Sequence, residues 1–177
     1  DTTGIKDTPL YINALQPVSK KYKNETGYIP FDKEIESVAK GLEYAYDDWC
    51  VLQMAKDRKD TANISKYEKL ATNYKNYFDA GTGFMRGKDS NGNWRTPFNP
   101  RSSVHRDDDY CEGTAWQWLW FVRHQEDSLV PLLGGNEKFV EKLEGLFAAD
   151  SKIEGEPTSV DISGLLGQSA HGNEPSH

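Results

Sequence analysis

The sequence predicts a mainly helical domain interrupted by one long segment without helical periodicity. From Asp32 onward the apolar residues alternate spacings of three and four, which is the pattern of one helix face; they are Ile35, Val38, Leu42, Ala45, Trp49 and Leu52. The spacing recurs after Asn63, taken here as a helix cap, at Ile64, Tyr67, Ala71, Tyr74 and Phe78. The short polar link between the two runs predicts an antiparallel helix pair, and no stretch predicts a strand with confidence.

The same patterns predict which residues this helix pair buries and where further helices lie. We expect one shared core that contains Ile35, Leu42, Trp49, Ile64, Ala71 and Tyr74. An N-terminal helix is expected from Thr8-Pro9 to about Lys23, kinked or split at Pro17. Towards the C-terminus, a short helix is expected to end at Gly134-Gly135, and Asn136 is expected to cap another. That last helix carries on one face Phe139, Leu143, Leu146 and Phe147.

The segment from about 79 to 112 is the long loop excursion in this helical pattern. It is rich in turn-forming residues and lacks a helical period, and loops of this length are usually functional or disordered. The stretch Asp89–Asn93 predicts a turn; a calcium-binding EF-hand loop is excluded because its glycine is misplaced and Pro100 stands where Glu is needed. The acidic run 107–109 is expected to be solvated and not to bind a metal.

Composition restricts the classes of partner. A length of 177 residues suits a single domain with a sizeable core. The formal net charge of −7 argues against nucleic acid, and no apolar run approaches the ~20 residues of a membrane span. A neutral glycan is compatible with an acidic surface. Cys50 and Cys111 offer neither a disulfide framework nor a metal-binding spacing, and we expect buried thiols.

The stretch Tyr110–His124 places one carboxylate, Glu112, close to three tryptophans, Trp116, Trp118 and Trp120. The apolar faces of pyranose rings stack on indoles, and a carboxylic acid held against aromatic rings has a raised pKa and can donate a proton. This composition is therefore typical of a sugar site. The alternative is structural, because Trp116, Trp120 and Phe121 could form one buried helix stripe.

Four segments, in the same order along the chain, resemble glycoside hydrolase family ninety-two. They are Leu42–Cys50 (LEYAYDDWC), Gly83–Arg86 (GFMR), Tyr110–Gln117 (YCEGTAWQ) and His171–His177 (HGNEPSH). The family consists of calcium-dependent, inverting exo-α-mannosidases, and the resemblance runs from about Gly27 to His177. It implies that residues 1–177 are an incomplete piece of a helical (α/α)6 six-hairpin toroid, without the family's N-terminal β-sandwich and the C-terminal remainder of the parent chain.

The resemblance also implies roles for particular residues. Glu112 corresponds to the family's general acid, whereas its candidate bases lie beyond His177, so the isolated chain is expected to be inactive. Trp116, His171 and Glu174 are expected to bind the sugar, and a calcium ion is expected at Asn173 and Glu174, whose oxygens are hard ligands. Asp47 and Asp48 could contact sugar hydroxyls or, equally, cap a loop backbone. For Arg86 a structural role is favoured over a sugar contact.

Several positions depart from the family's pattern and leave the linkage preference open: Thr114, Arg123, Gln125 and Ser169. Thr114 replaces an amide next to the acid. The first functional hypothesis is a fragment of an exo-α-mannosidase, most compatible with α-1,2 links, from a periplasmic, secreted or outer-surface bacterial protein. The alternatives are a non-catalytic mannose- or glycan-binding module and a helical interaction domain; retention of Glu112 and of the HGNEPSH segment favours the first over the last.

Overall fold

The computed structural model describes residues 18–104, 106–158 and 160–172. Its helices are α1 (Val18–Thr26), α2 (Ser37–Asp57), α3 (Thr61–Leu70), α4 (Ala115–Trp118), α5 (Glu126–Leu133) and α6 (Asn136–Ala148), with a 3-10 helix at Asn73–Tyr77. Two short antiparallel ladders pair β1 (Phe78–Asp79) with β2 (Phe84–Met85), and β3 (Leu165–Leu166) with β4 (Ser169–Ala170). The mainly helical prediction is confirmed, and the predicted helix over residues 8–17 lies outside the described residues. In the described ranges, no helix is long and apolar enough to cross a membrane.

Helix α2 begins later than its apolar pattern predicts. Residues 31–36 form a turn, in which the amides of Lys33 and Glu34 both donate to the carbonyl of Pro30 at 3.1 Å. Glu36 has a left-handed backbone, with φ 55° and ψ 36°, which a continuous α-helix excludes. Ile35 therefore lies outside α2 and is 42% exposed, so its predicted burial is wrong.

Helix α3 follows α2 across the connection 58–60 and packs against it, as the spacing of the two apolar runs predicts. Its N-cap is Asp60 and not Asn63: the carboxylate of Asp60 accepts the Asn63 amide at 3.2 Å. Leu42, Ala71 and Tyr74 are fully buried, as predicted, while Trp49 and Ile64 are only half-buried.

The second predicted helix ends at Leu70 and does not continue to Phe78. The 3-10 helix takes over because it docks Tyr77 into the core, where this side chain is 1% exposed. The Tyr77 hydroxyl accepts the amide of Ile29 at 2.7 Å and lies against Gly41, where any Cβ would overlap the ring. A long-range contact thus outweighs the local helical period.

The core lies between α2, the 3-10 helix and the segment around α4. Its fully or nearly fully buried side chains include Val38, Leu42, Tyr74, Tyr77, Met85, Tyr110, Trp118, Leu119 and Val122. Helices α5 and α6 pack against each other at one side, and Gly134 ends α5 with a left-handed φ of 97°, as its sequence predicts. Part of the region predicted as a long loop is thus an integral component of the core.

Within that region, a buried ion pair holds the β1–β2 hairpin. Arg86, 7% exposed, donates through Nη1 to the Asp79 carboxylate at 2.5 Å, and its guanidinium lies 4.5 Å from the centre of the Phe98 ring. The structural role favoured for Arg86 is confirmed. The predicted turn is also present, because Asp89 accepts the amides of Asn91 and Asn93, each at 2.9 Å.

Candidate active site

Glu112 lies immediately before α4, on a backbone that is held in an unusual conformation. Its φ of 46° is left-handed, which is sterically unfavourable for a residue with a Cβ and occurs often at functional sites. On one side the carbonyl of Cys111 accepts the Trp118 indole N–H at 2.9 Å. On the other, a Cβ at Gly113 would come within 2.9 Å of the same indole nitrogen. Gly113 is therefore required sterically for the indole to approach.

A capping box starts α4 two residues after Glu112. The Trp116 amide donates to the Thr114 hydroxyl at 3.3 Å, and the Gln117 side chain accepts the Thr114 amide at 2.5 Å. Thr-x-x-Gln is a recognised capping signature, and it could have predicted this helix start from the sequence. Thr114, one of the departures from the family's pattern, thus has a defined structural role.

Glu112 lines a pocket of about 410 Å³ between the loop and the first turns of α2. The pocket combines the aromatic side chains of Tyr44, Trp118 and Phe121 with several charged groups, and its lining is completed by Glu36, Ala39, Lys40, Glu43, Cys111 and Arg123. Volume and composition are those of a small-molecule site, in which apolar walls carry a few polar groups.

Charged groups of both signs face this pocket. Lys40 Nζ pairs with Glu34 at 2.7 Å and lies 3.9 Å from Glu36. The pocket wall desolvates Glu43, although its side chain still reaches solvent, and this raises its pKa, helped by Asp47 and opposed by Arg123. The pocket is therefore neither uniformly acidic nor uniformly basic.

Cys111 is half-buried and free, as is Cys50, so the prediction of buried thiols is wrong in degree. Burial, together with the negative charges of Glu36 and Glu112, raises the pKa of the Cys111 thiol to about 11. The thiol is accordingly protonated at neutral pH and is a poor nucleophile.

The three tryptophans of this stretch contact three different parts of the molecule. Trp118 lines the Glu112 pocket, whereas Trp116 packs edge-on to Phe84, with ring centres 4.9 Å apart, and does not line the pocket. Trp120 packs edge-on to Phe139 at 5.5 Å. A single helix stripe is excluded because α4 contains only four residues. The structure brings Glu112 together with Trp118 and Phe121.

Asp47 and Asp48 lie on α2, and neither lines the Glu112 pocket. Asp48 is 5% exposed and pairs with Lys23 Nζ of α1 at 2.6 Å. Burial raises the pKa of this carboxyl, and the Lys23 ammonium opposes the shift. Asp47 is exposed. These positions test neither of the two predicted roles, a sugar contact or a backbone cap. Asp48 is already paired with Lys23 of α1.

Gln168, which the sequence analysis did not single out, joins the C-terminal ladder to α4 and α6. Gln168 is fully buried, and its backbone N–H donates to the Leu146 carbonyl at 2.7 Å. Its side chain donates to the Asp150 carbonyl at 2.6 Å, and its own carbonyl accepts the Gln117 side chain. These hydrogen bonds fix the start of strand β4. His171 follows this strand and is exposed on the surface.

The metal prediction cannot be placed on the described residues. Asn173 and Glu174, the expected calcium ligands, lie outside them. Within residues 18–104, 106–158 and 160–172, no group of three or more His, Cys, Asp or Glu side chains could hold an ion. Within the acidic run that was expected to be solvated, Asp107 is exposed and Asp108 is half-buried, but Asp109 is 3% exposed, because it anchors the loop to α2. The expectation of a solvated run is therefore wrong for Asp109.

Three comparisons connect this chain to known proteins. The Glycosyl hydrolase family 92 catalytic domain matches residues 6–177. A solved family GH92 alpha-mannosidase from Bacteroides thetaiotaomicron, in complex with mannoimidazole, has a TM-score of 0.78 and 40% identity, covering 89% of this chain and 21% of that one. A GH92 inverting mannosidase from the same organism gives 0.69 and 34%, covering 80% and 19%.

A curated relative from Arthroderma benhamiae, described as an uncharacterized secreted glycosidase, is 31% identical in an alignment 137 residues long, and the match covers 66% of this chain and 17% of that protein. The chain thus spans about a fifth of the length of the relatives it matches. Because the family match covers nearly all of the chain and the helical fold superposes on part of a solved member, the chain belongs to glycosyl hydrolase family 92.

Proposed function

We propose that Glu112 is the general acid of an α-mannosidase that removes terminal mannose from glycans with inversion of configuration. The observation that carries this proposal is the position of Glu112 on the wall of a 410 Å³ pocket, beside Trp118 and Phe121, in a family 92 chain. Two relatives support the substrate class and the stereochemistry: one was solved with mannoimidazole, and another is named an inverting mannosidase.

In the proposed reaction, protonated Glu112 donates its proton to the glycosidic oxygen as the bond from that oxygen to the anomeric carbon breaks. A water molecule attacks the anomeric carbon from the opposite face and gives its proton to a second carboxylate. In inverting enzymes the two carboxyl groups stand about 6.5–9.5 Å apart to accommodate that water. We place the second carboxylate beyond His177, in the remainder of an (α/α)6 toroid that follows a β-sandwich.

The sugar-binding roles of Trp116, His171, Glu174, Asp47 and Asp48 remain part of this proposal. Trp118 and Phe121 form the apolar wall beside Glu112, and both side chains are nearly fully buried in the core. The substrate class is a mannose-containing glycan, and α-1,2 links are the proposed linkage. The secreted relative supports a site of action outside the cytoplasm.

Calcium is the proposed cofactor, held by Asn173 and Glu174, because amide and carboxylate oxygens are the ligands that this ion prefers. When bound, it would supply a positive charge that orients sugar hydroxyls. The test is chelation of the full-length protein: activity should be lost in EDTA and restored by calcium but not by magnesium. Full activity in excess chelator would contradict this assignment.

The test of the acid is Glu112→Gln in the full-length protein. Glutamine preserves shape but has no acidic proton, so turnover of an unactivated mannobiose should fall by about 10²–10⁴-fold. The loss should be much smaller for 2,4-dinitrophenyl α-mannoside, whose leaving oxygen needs little protonation. The control is Glu68→Gln on the exposed face of α3, which should change neither rate.

Two outcomes would contradict the proposal. An equal loss for both substrates would mean that Glu112 does not donate a proton to the leaving group. Mannoside binding by the wild-type protein without hydrolysis of either substrate would favour the alternative of a glycan-binding module.

A further inference from the structure

Asp109 joins the two walls of the Glu112 pocket. One wall is the start of α2, from Glu36 to Tyr44, and the other is the segment that carries Cys111 and Glu112. The carbonyl of Asp109 accepts the amides of Val38 and Ala39 at 3.0 and 3.1 Å, so it satisfies two N–H groups of the first turn of α2.

The carboxylate of Asp109 makes further contacts, with the α2 wall and with the preceding part of the loop region. Oδ1 accepts the Ser37 hydroxyl at 2.9 Å. Arg95 donates to both oxygens, from Nε at 2.9 Å and from Nη2 at 3.1 Å, in the fork geometry that fixes direction as well as distance. The carboxylate packs so tightly against Gly87 that any Cβ at this glycine would overlap it.

This arrangement fixes the backbone only three residues before Glu112. Between them, the Tyr110 hydroxyl donates to the Met85 carbonyl at 2.6 Å, and the Cys111 carbonyl is held by Trp118. The backbone that leads into the left-handed Glu112 is thus anchored at three successive residues, and Asp109 is the anchor that also fixes the opposite wall.

We infer that Asp109 is a positioning residue, which sets the distance between Glu112 and the α2 wall where the substrate would lie. The inference rests on the proposed role of Glu112 as general acid. Its physical basis is that a misplacement of a catalytic group by about 1 Å can cost about 100-fold in rate. Asp109 does not line the pocket, so its effect would be exerted indirectly, through the two walls that it joins.

The experiment compares Asp109→Asn with Asp79→Asn in the full-length protein, with mannobiose and 2,4-dinitrophenyl α-mannoside as substrates. Both variants weaken a buried aspartate–arginine pair of the same loop region, but Asp79 contacts neither wall of the pocket. For Asp109→Asn we expect kcat on mannobiose to fall by about 10- to 100-fold, with a much smaller loss on the aryl mannoside. Asp79→Asn should change both rates by the same factor.

If Asp109→Asn does not fold, as judged by thermal unfolding, Ser37→Ala removes one contact of the same carboxylate and should show the same selectivity at roughly 3- to 10-fold. Equal losses on both substrates, or no loss, would overturn the inference. Glu112→Gln distinguishes the two levels: if it lacks leaving-group dependence, the proposed acid is wrong. If Glu112→Gln shows that dependence and the Asp109 and Ser37 variants do not, only the positioning role is wrong.

Discussion

Helix α2 and the loop region 79–114 pack against the same core, but different groups fix them. Helix α2 buries mainly apolar side chains, such as Val38, Leu42 and Leu52. The loop region is fixed by carboxylates: Asp79 pairs with Arg86, and Asp109 pairs with Arg95 and binds Ser37. Helix α2 also holds a buried pair, Asp48 with Lys23, but the region that carries Glu112 depends on two buried carboxylates for its conformation.

This difference indicates how closely the position of each region is fixed. Apolar contacts are non-directional, so a helix face can adjust to small changes of shape. A bidentate pair fixes direction, and a buried charge that loses its partner is strongly unfavourable. The loop is thus held more exactly than the helices, and it should tolerate substitution less well.

The largest expected effect on stability comes from Asp79→Ala. It leaves the guanidinium of Arg86 buried without its carboxylate, which should lower the free energy of unfolding by about 3–5 kcal/mol. Urea denaturation provides the measurement. The matched control in the helical pair is Glu68→Ala, whose exposed contact with Lys56 at 3.7 Å should contribute less than about 1 kcal/mol. Similar losses for the two variants would remove the distinction between the regions.

The second expected effect concerns the apolar side chains that α2 buries. Leu42→Ala empties a fully buried position of α2 and should cost about 2–5 kcal/mol. Ile35→Ala is the control, because Ile35 precedes α2 and is 42% exposed, so its loss should be small. Thermal unfolding of both variants checks this. A large cost at Ile35 would mean that the sequence-based core was right after all.

A smaller effect concerns the left-handed backbone of Glu112. Glycine adopts this conformation without a steric penalty, so Glu112→Gly should be more stable than Glu112→Ala by about 1–2 kcal/mol, although both remove the carboxylate. At Glu43, within α2, the order should reverse, because glycine is worse than alanine by about 1 kcal/mol in a helix interior. Denaturant midpoints of the four variants measure these stabilities. If alanine were more stable than glycine at both sites, backbone strain at Glu112 would be excluded.

The last expected effect is a change in the pH dependence of stability. Burial raises the pKa of Asp108 to about 6, so the folded state binds more protons than the unfolded state between about pH 4 and 6. Stability from this group is present below that range and is lost as the pH rises through 6. Hydrogen bonds from Asn63 lower the pKa of Asp60, so its contribution is present above about pH 4 and is lost in acid.

These two groups therefore predict opposite slopes. The free energy of unfolding, measured from pH 3 to 7, should rise less with pH in the wild type than in Asp108→Asn. It should fall less steeply in acid for Asp60→Asn. Parallel curves for the wild type and Asp108→Asn would mean that the Asp108 carboxyl is not desolvated in the folded protein.

Most of the helices could be predicted because the apolar residues of one helix face recur at regular spacing in the sequence. The spacing identified α2, α3 and α6, and the glycines at 134 and 135 marked the end of α5. The turn at Asp89–Asn93 followed from short-range turn chemistry. The Thr114–Gln117 capping box and the Asp60 N-cap are local signals that the sequence also carries, although neither was predicted.

The candidate site also has a part that the sequence predicts and a part that only the fold determines. The amino-acid sequence by itself determined that Glu112 stands among aromatic residues, in a motif of family 92. Only the tertiary structure decided that Trp118 and Phe121, and not Trp116, share its pocket, since a short helix followed by a turn sends neighbouring side chains in different directions.

The same holds for the anchors of the loop. The sequence showed an acidic run at 107–109, and its local composition indicated solvent. The folded chain buries Asp109 because Arg95 and Ser37, 14 and 72 residues away, converge on it. Local spacing determines elements whose hydrogen bonds are local. A carboxylate's environment depends on partners brought together by the fold, and no local pattern encodes them.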